Sequence, residues 1–444
     1  MLRFRTFVTG AAAGAALFML GLHAGHAQVN PHGTTAASVE TYRKLELLGK
    51  VLDIVRSNYV DKTDDGKLVN AAIDGVLKSL DPHSSYMDAK SYRDMQTTSS
   101  GQFGGLGMQV NMEDGLLKVV SPIDDTPAAR AGILAGDIIT QVDGAPVKGL
   151  TLTEAVEKMR GVPGTEVRLE ITRKDQAPLQ LTLTRQIIKV SAVRQQAEGD
   201  DVGYIRLTQF TGRVADELKQ AVQTLATKIP PEQAKGYILD LRNNPGGLLD
   251  QAVRVAGAFL TSGEIVSIRG RDPEQIQRFN AAPGDLIEGK PLIVLINGGS
   301  ASASEIVAGA LQDHKRATII GSRTFGKASV QTIIPLGQGN GALRLTTARY
   351  FTPSGRSIQA QGIAPDIEVL QDVPKEMTSQ AAPRSEANLP GHLKAEGEEQ
   401  TGSQSYIPRE PKDDKALQTA LALIRGTATN PAFPPVPKQA ATAR

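Results

Sequence analysis

The sequence predicts a multidomain protein of mixed class, in which an α/β core follows a helical N-terminal domain and a small β-rich domain. Its 444 residues exceed what one hydrophobic core usually organises, and 40% of them are apolar. After about residue 190, continuous apolar runs alternate with helical patterns, which is typical of a buried, mostly parallel sheet covered by helices. Before that point, short alternating segments with turn signals indicate antiparallel strands.

Composition excludes several classes of function. The 49 basic and 47 acidic residues leave a net charge of +2, so we expect no extended basic face and no nucleic-acid partner. The absence of cysteine excludes disulfides, thiolate zinc sites and a cysteine nucleophile. Folding therefore does not depend on the redox state of the compartment.

The first 27 residues have the features of a secretory signal. Arg3 and Arg5 precede an apolar run over residues 7–22, and Gly25 and Ala27 supply small residues at the expected cleavage position. An uncleaved N-terminal anchor is the alternative, although the run is shorter than the roughly 20 residues that a membrane span needs. We expect an exported protein of the periplasm or cell envelope.

Two amphipathic helices are predicted in the N-terminal domain, residues 28–98. Residues 42–59 carry apolar side chains at three- and four-residue intervals, and residues 67–80 repeat the pattern until Pro82 prevents continuation. His83 lies in the turn that follows, where a structural role is favoured over a catalytic one.

A β-rich domain is predicted over residues 99–186, and an α/β core over residues 187–370. The strands expected in the β-rich domain are residues 116–120, 137–142 and 167–171, and its helix is residues 151–159. The strands expected in the core are residues 237–241, 292–296 and 317–320, and its helices are residues 248–260 and 302–312. Catalytic groups of such cores gather at the carboxyl ends of the strands.

The C-terminal region, residues 371–444, is predicted to begin as a linker. Residues 371–411 are rich in Pro, Ala, Ser and Glu without periodicity, which indicates a disordered or weakly ordered segment. Asp413 or Asp414 then caps a helix that ends at Arg425 and carries one apolar stripe. Such a stripe must dock, either on a second copy or on the same chain.

Small residues at 297–305 lie between an apolar strand and a helix start. They let a substrate backbone approach, and a hydroxyl there is close to the positive end of the helix. The alternative is that these serines only cap the helix. A serine nucleophile needs a base, and His314 would stand about 18 Å from Ser302 along one helix, which disfavours a Ser-His pair.

Lys327 is the candidate base, because it follows the strand at 317–320 and burial can lower the pKa of a lysine. A solvated surface charge is the alternative for any single lysine. Residues 321–327 also fit the phosphate-loop pattern G-x-x-x-x-G-K, but Ala328 stands where that motif needs Ser or Thr. The β-branched residues that follow disfavour the helix that such a loop requires.

Several motifs together resemble the carboxy-terminal processing, or tail-specific, protease family. The likeness extends from about residue 45 to 369, and its motifs are SNYV at 57–60, SLDPHS at 79–84, DLRNNPGG at 240–247, GSASASE at 299–305 and TFGK at 324–327. Their number and order make chance similarity very improbable. The resemblance implies a crotonase-like outline for the core, no metal and no organic cofactor.

By this resemblance Ser302 is the nucleophile, Lys327 is the general base, and Gln331 orients the lysine. Ala303 and Gly246 supply the backbone N–H groups of the oxyanion hole. Four residues separate Lys327 from Gln331, which would span about 13 Å in an extended strand. The orienting role therefore predicts a helical turn over residues 327–331.

The β-rich domain resembles a PDZ module, which binds a peptide as an added strand and holds its terminal carboxylate with backbone N–H groups. The residues expected at the carboxylate loop and at the pocket for an apolar last side chain are Gly105, Leu106, Gly107, Met108, Leu152 and Val156. Ordinary core packing is the alternative for the apolar members.

The predicted function is that of a serine endopeptidase that captures exposed apolar C-termini of exported proteins and hydrolyses peptide bonds. The resemblance also suggests an adaptor protein and homo-oligomers built through the terminal helices. Two rivals stay open, a catalytically silent PDZ scaffold of the cell envelope and an acyl-transferring enzyme suggested by the crotonase-like outline. Intact Ser302, Lys327 and Gln331 disfavour the first, and a PDZ module has no evident use in the second.

Overall fold

A computed structural model describes residues 35–435, apart from residues 114, 124, 174–175, 273 and 378–382. The signal predicted over residues 1–27 lies outside these residues. The chain divides into two compact units between Val69 and Asn70. None of the helices in the described residues combines the length and the hydropathy that a membrane crossing requires.

Helices and strands follow one another through most of the chain. The helices are α1 (Thr35–Asn58), α2 (Asp65–Lys78), α3 (Ala89–Ser100), α4 (Pro127–Arg130), α5 (Leu152–Met159), α6 (Val214–Lys228), α7 (Leu249–Gly257), α8 (Ala303–Asp313) and α9 (Lys415–Arg425). The strands are β1 (Ser85–Met87), β2 (Gln102–Gly105), β3 (Met108–Glu113), β4 (Leu116–Pro122), β5 (Ile138–Val142), β6 (Ala145–Pro146), β7 (Glu166–Thr172), β8 (Leu179–Thr184), β9 (Gln186–Lys189), β10 (Val193–Glu198), β11 (Val202–Leu207), β12 (Gly236–Asp240), β13 (Glu264–Gly270), β14 (Ile276–Asn280), β15 (Leu292–Ile296), β16 (Thr318–Gly321), β17 (Ser329–Pro335), β18 (Ala342–Phe351) and β19 (Ile367–Glu368).

The N-terminal region is helical, as the sequence predicts. α1 and α2 match the two predicted segments to within two residues at their C-terminal ends, and α1 begins earlier than expected, at Thr35. Many apolar side chains of α1 are exposed to solvent, among them Val39, Tyr42, Leu45, Leu48, Val51 and Ile54. An apolar stripe of this length on a helix surface is typical of an interaction site.

The β-rich domain is an antiparallel sheet in the order β3-β4-β5-β7-β8, with β6 paired to β5. Its core contains Leu117, Ile139 and Leu169 together with Ala155 of α5. The start of α5 is fixed by Thr151, which exchanges two hydrogen bonds with the third helical residue in a capping box. β2 and β9, at the two ends of the domain, pair as a separate ribbon.

The core contains a six-stranded sheet in the order β10-β11-β12-β15-β16-β19, parallel except for the β10–β11 pair. Leu239 and Val294 cluster with α6, α7 and α8, whereas Ile238 and Ile293 cluster with α9. Because alternate side chains of a strand point to opposite faces, the sheet is buried on both sides. The C-terminal helix therefore docks on the same chain, and Asp414 is its cap.

A second sheet, in the order β1-β18-β13-β14 with β17 paired to β18, belongs to the same unit. β17 begins at Ser329 and carries Gln331, so the helical turn predicted over residues 327–331 is wrong. The β-branched side chains of this stretch favour a strand, and a register shift between Val330 and Gln331 bends it. The phosphate-loop interpretation also lacks its helix, because β17 stands in the place where that helix is required.

The linker predicted over residues 371–411 is wrong for the residues that the structure describes there. Ser385 and Glu386 are buried, and Arg384 forms a β-bridge with Ser403. The order of this segment comes from hydrogen bonds to the core rather than from burial of apolar side chains. An argument from composition considers only the burial of apolar side chains. It therefore did not predict the order that hydrogen bonds give to this segment.

Candidate active site

Ser302 lies at the junction between β15 and α8, as the N-cap of the helix. Its backbone has φ 56° and ψ −114°, a conformation that persists only when the surroundings impose it. Here the surrounding turn is fixed to the end of β12. Ser300 Oγ donates to Leu241 O (2.9 Å), and Asn297 Oδ1 accepts from Asn243 N (3.0 Å). Two neighbouring strand ends thus hold the serine in place.

Lys327 follows β16 and lines the same cavity as Ser302. Burial lowers the pKa of its amine, and the positive charge of Arg344, which lines this cavity as well, acts in the same direction. Nearby carboxylates, above all that of Glu386, oppose the shift but do not reverse it. Lys327 therefore loses its proton more easily than a solvated lysine.

A buried carboxylate joins the serine turn, residues 297–302, to the lysine loop, residues 322–328. Glu305 Oε2 accepts from Ser302 N (2.7 Å) and from Lys327 N (3.0 Å). Its Oε1 accepts from Thr324 Oγ1 (2.5 Å) and from Gly326 N (2.7 Å). Burial raises the pKa of this carboxyl to about 7, although the four donors act against the shift. Glu305 ends the small-residue motif, but sequence reasoning gave it no role.

Tyr350 is a second buried group that sequence reasoning missed. Its hydroxyl oxygen lies 3.0 Å from Ser302 O and 2.5 Å from Lys327 O, so it also connects the two segments. Burial raises the pKa of this hydroxyl well above its ordinary value, which keeps it protonated as a donor. No local pattern could reveal the contact, because the partners are distant in sequence.

The two residues predicted for the oxyanion hole lie beside Ser302. Ala303 is the first residue of α8, where backbone N–H groups have no partner inside the helix. A Cβ on Gly246 would stand 2.9 Å from Ala303 N, so glycine permits this close approach. Gly246 N, however, donates to Asn244 Oδ1 (3.0 Å), and Gly247 rather than Gly246 lines the cavity. Both oxyanion assignments stay predictions.

Gln331 also lines the cavity that Ser302 and Lys327 share. Its Nε2 donates to Ser329 Oγ (3.0 Å) and to Thr346 Oγ1 (3.2 Å). The structure thus brings Gln331 to the site by the curvature of a strand, not by a helical turn. Its orienting effect on Lys327 stays a prediction.

The groove expected to bind a peptide is a cavity beside α5. It is lined by Phe103, Gly105, Leu106, Gly107, Met108, Val110, Val156, Met159 and Arg160. The structure does not bring Leu152 to this lining, because its side chain is exposed at the first position of α5. Leu106 also packs into the core of the domain, as the alternative interpretation expected, and its contact with a bound peptide stays a prediction.

His314, the histidine nearest to Ser302 in sequence, contacts another part of the core. His314 ends α8 and its Nε2 contacts Glu264 O (2.7 Å), away from Ser302. In the part of the chain that the structure describes, no three His, Asp or Glu side chains form a cluster suited to a metal ion.

Three family models match successive parts of the chain. Residues 8–91 match the N-terminal domain of the activating protease CtpB, residues 104–184 match the PDZ domain, and residues 201–369 match peptidase family S41. The helical region, the β-rich domain and the α/β core are thereby each assigned. The core, in which a serine and a buried lysine line one cavity, is that of a serine-type peptidase.

Known relatives extend the match over nearly the whole chain. A carboxy-terminal-processing protease of Bartonella bacilliformis is 55% identical over 409 residues, which are 91% of this chain and 94% of that protein. The carboxy-terminal processing protease CtpA of Bacillus subtilis is 39% identical over 327 residues, 73% of this chain and 69% of that protein. A solved photosystem II D1 C-terminal processing protease is 30% identical, with 73% of this chain and 92% of that chain covered and a TM-score of 0.42. The chain belongs to the carboxy-terminal-processing proteases of peptidase family S41.

Proposed function

We propose that the protein is an endopeptidase that binds the C-terminal tails of exported proteins through its PDZ domain and cleaves peptide bonds with a Ser302–Lys327 dyad. The observation that carries the proposal is the single cavity lined by both side chains, with Glu305 bonded to both backbones. Serine–lysine pairs perform acyl transfer without histidine in unrelated folds.

In the proposed reaction, neutral Lys327 takes the proton of Ser302 Oγ as the oxygen attacks the peptide carbonyl carbon. The π electron pair moves to the carbonyl oxygen, which accepts from Ala303 N and from Gly246 N once the latter has left Asn244. Collapse breaks the C–N bond, and the leaving amine takes the proton from Lys327. Lys327 then takes a proton from water as the water oxygen attacks the ester carbon, and it gives that proton to Ser302 Oγ as the bond between Oγ and the acyl carbon breaks.

Cleavage of an unstructured protein tests the proposed activity. The chain from Gln28 onward is compared with Ser302→Ala, purified in parallel. We expect the wild type to cleave and the variant to be inactive, because alanine has no hydroxyl to form the ester. Equal cleavage by both would assign the activity to another site. A wild type that binds peptides but does not cleave them would favour the scaffold.

The backbone of the carboxylate loop supports the tail-binding part of the proposal. Gly107 has φ 77°, and its carbonyl oxygen accepts from Ile123 N (2.8 Å) and Thr126 Oγ1 (2.8 Å). A Cβ on Gly107 would stand 2.2 Å from Thr126 Cβ, so only glycine fits. The adjoining β3 is an edge strand, to which an extended peptide can pair.

Gly107→Ala is expected to weaken binding of a peptide with an apolar, free C-terminus by about tenfold or more, because the loop must distort to admit the methyl group. Fluorescence anisotropy with a labelled peptide measures the change. Gly144→Ala is the matched control, because Gly144 also has positive φ but open space around its added Cβ. Equal affinity of the wild type for the amidated peptide would contradict carboxylate recognition.

The proposal also includes export of the protein and delivery of its substrates by an adaptor. Export rests on residues 1–27, and N-terminal sequencing of protein from the cell envelope distinguishes a cleaved signal from a retained anchor. An adaptor that delivers substrates rests on the family resemblance. Co-purification of a second protein that increases the cleavage rate tests it, and a rate that no envelope fraction raises would count against it.

We also infer that the protein forms homo-oligomers through α1. Of the two terminal helices, α9 buries its stripe on its own sheet, whereas α1 exposes its apolar side chains. Leu48→Glu combined with Ile54→Glu is expected to shift the mass measured by light scattering towards the monomer, because buried charge opposes association. Lys50→Gln, on the same helix, is the control. A monomeric wild type would overturn the inference.

A further inference from the structure

The C-terminal segment, residues 371–411, lies against both the serine turn and the lysine loop, which carry the proposed dyad. On the serine side, Gly298 N donates to Gln404 O (3.1 Å). On the lysine side, Ser403 Oγ donates to Arg323 O (2.6 Å), and Glu386 N donates to Phe325 O (2.9 Å). The segment whose composition predicts a linker is therefore hydrogen-bonded to both loops of the proposed active site.

Glu386, in this segment, is a buried acidic residue whose side chain is fully enclosed. Its carboxylate accepts from His83 Nε2 at 2.9 and 2.8 Å, and from Gln359 Nε2 at 3.1 Å. Gln359 Oε1 in turn accepts from Ala328 N (3.0 Å). Glu386 thus contacts the lysine loop on both sides of Lys327, because its backbone N–H donates to Phe325 O and its carboxylate is connected to Ala328 through Gln359.

Hydrogen bonds within its own turn fix the position of His83. Asp81 Oδ1 accepts from His83 N (2.8 Å) and Ser84 N (2.8 Å), and Asp81 Oδ2 accepts from Ser84 Oγ (2.8 Å). The turn that precedes β1 thus presents the imidazole to the carboxylate. Segments far apart in sequence therefore meet at Glu386. A carboxylate that only capped a helix or formed a surface ion pair would not need to join them.

We propose that Glu386, held by His83 and Gln359, is a positioning residue for Lys327. Glu386 fixes the lysine loop so that the amine of Lys327 reaches the cavity shared with Ser302. This inference rests on the proposed dyad mechanism. It assigns a function in catalysis to the turn at residues 81–84 and to the C-terminal segment. Neither of them lines the cavity.

The charges that face Lys327 give the proposal a measurable signature. Glu386, Glu305 and Asp81 raise the pKa of the lysine, whereas burial, the largest effect, and Arg344 lower it. The base acts when neutral, so activity rises with pH through this pKa. Removing the Glu386 charge lowers the pKa further and moves the acid limb of the kcat profile to lower pH. Removing the Arg344 charge moves it to higher pH.

The experiment measures kcat and KM of the full chain for a quenched peptide across a pH series. Glu386→Gln is expected to lower the plateau of kcat by about 10- to 100-fold with little change in KM, because a misplaced base affects the chemical step. Its acid limb is expected about one pH unit lower. Glu399→Gln is the matched control, because Glu399 lies on the same segment and also pairs with a histidine, His392 (3.1 Å).

Two outcomes overturn the proposal. One is a Glu386→Gln profile with unchanged plateau and limb, and the other is a smaller folded fraction whose folded molecules keep the wild-type kcat and acid limb. Wild-type activity in Lys327→Ala would instead refute the dyad, whatever Glu386→Gln does. If Glu386→Gln fails to fold, His83→Ala leaves the carboxylate in place without its partner. A lower kcat for that variant supports the proposal, and a wild-type kcat overturns it.

Discussion

Replacement of Lys327 by alanine is expected to lower kcat for peptide cleavage by about 10⁴-fold or more, and adding Ser302→Ala is expected to lower it little further. The base and the nucleophile act in one proton-transfer step, so loss of either abolishes the same step. Losses that multiply in the double variant would mean that the two residues act independently, which the dyad does not allow.

The measurement is steady-state cleavage by the wild type, the two single variants and the double variant over a range of pH. Because burial lowers the pKa of Lys327 from the usual 10.5, the rate of the wild type should rise with pH and level off below that value. Lys235→Ala is the control, since Lys235 is an exposed partner of Asp201. If this control loses as much activity as Lys327→Ala, the loss is not specific to the site.

Glu305→Gln is the second change with a large expected effect, about 10²-fold in kcat, because a small displacement of catalytic groups costs this much. One carboxylate oxygen of Glu305 serves Ser302 N and Lys327 N, and the other serves Thr324 and Gly326. An amide presents N–H groups to one of these donor pairs. We also expect the free energy of unfolding to fall by about 2 kcal/mol, since buried donors lose their acceptor.

Steady-state kinetics and thermal unfolding of Glu305→Gln separate the two effects. The matched control is Glu217→Gln, because Glu217 is also buried and accepts from Ala192 N (2.9 Å) but lies on α6, away from the cavity. This control should lose stability and keep the kcat of its folded fraction. A Glu305→Gln protein with wild-type kcat would show that the four bonds stabilise the fold without positioning the dyad.

Local patterns predicted the elements that carry the site. The apolar run at 292–296 and the helix that starts after Ser302 are present as expected, and so is the cap at Asp414. Since parallel strands end at one edge of a sheet, this order was enough to bring Lys327 and Ser302 to the same edge. These predictions depend only on periodicity and capping, which neighbouring residues determine.

What the sequence could not predict depends on contacts between distant segments. Tyr350, Glu386 and His83 contact their partners across long stretches of chain, and no periodic pattern records such pairings. The error at Gln331 has the same origin, because a bulge in the pairing of β17 with β18, not a local turn, carries this side chain to the cavity.

The order in which the ribosome makes the chain gives the C-terminal packing a further consequence. Until α9 has been synthesised, the sheet face formed by Ile238, Ile293 and Leu295 has no cover, and Arg242 lacks its partner Asp414 (2.8 Å). Glu386 also reaches the lysine loop only after most of the chain exists. The core of a growing polypeptide therefore stays incomplete until its C-terminal helix has been made.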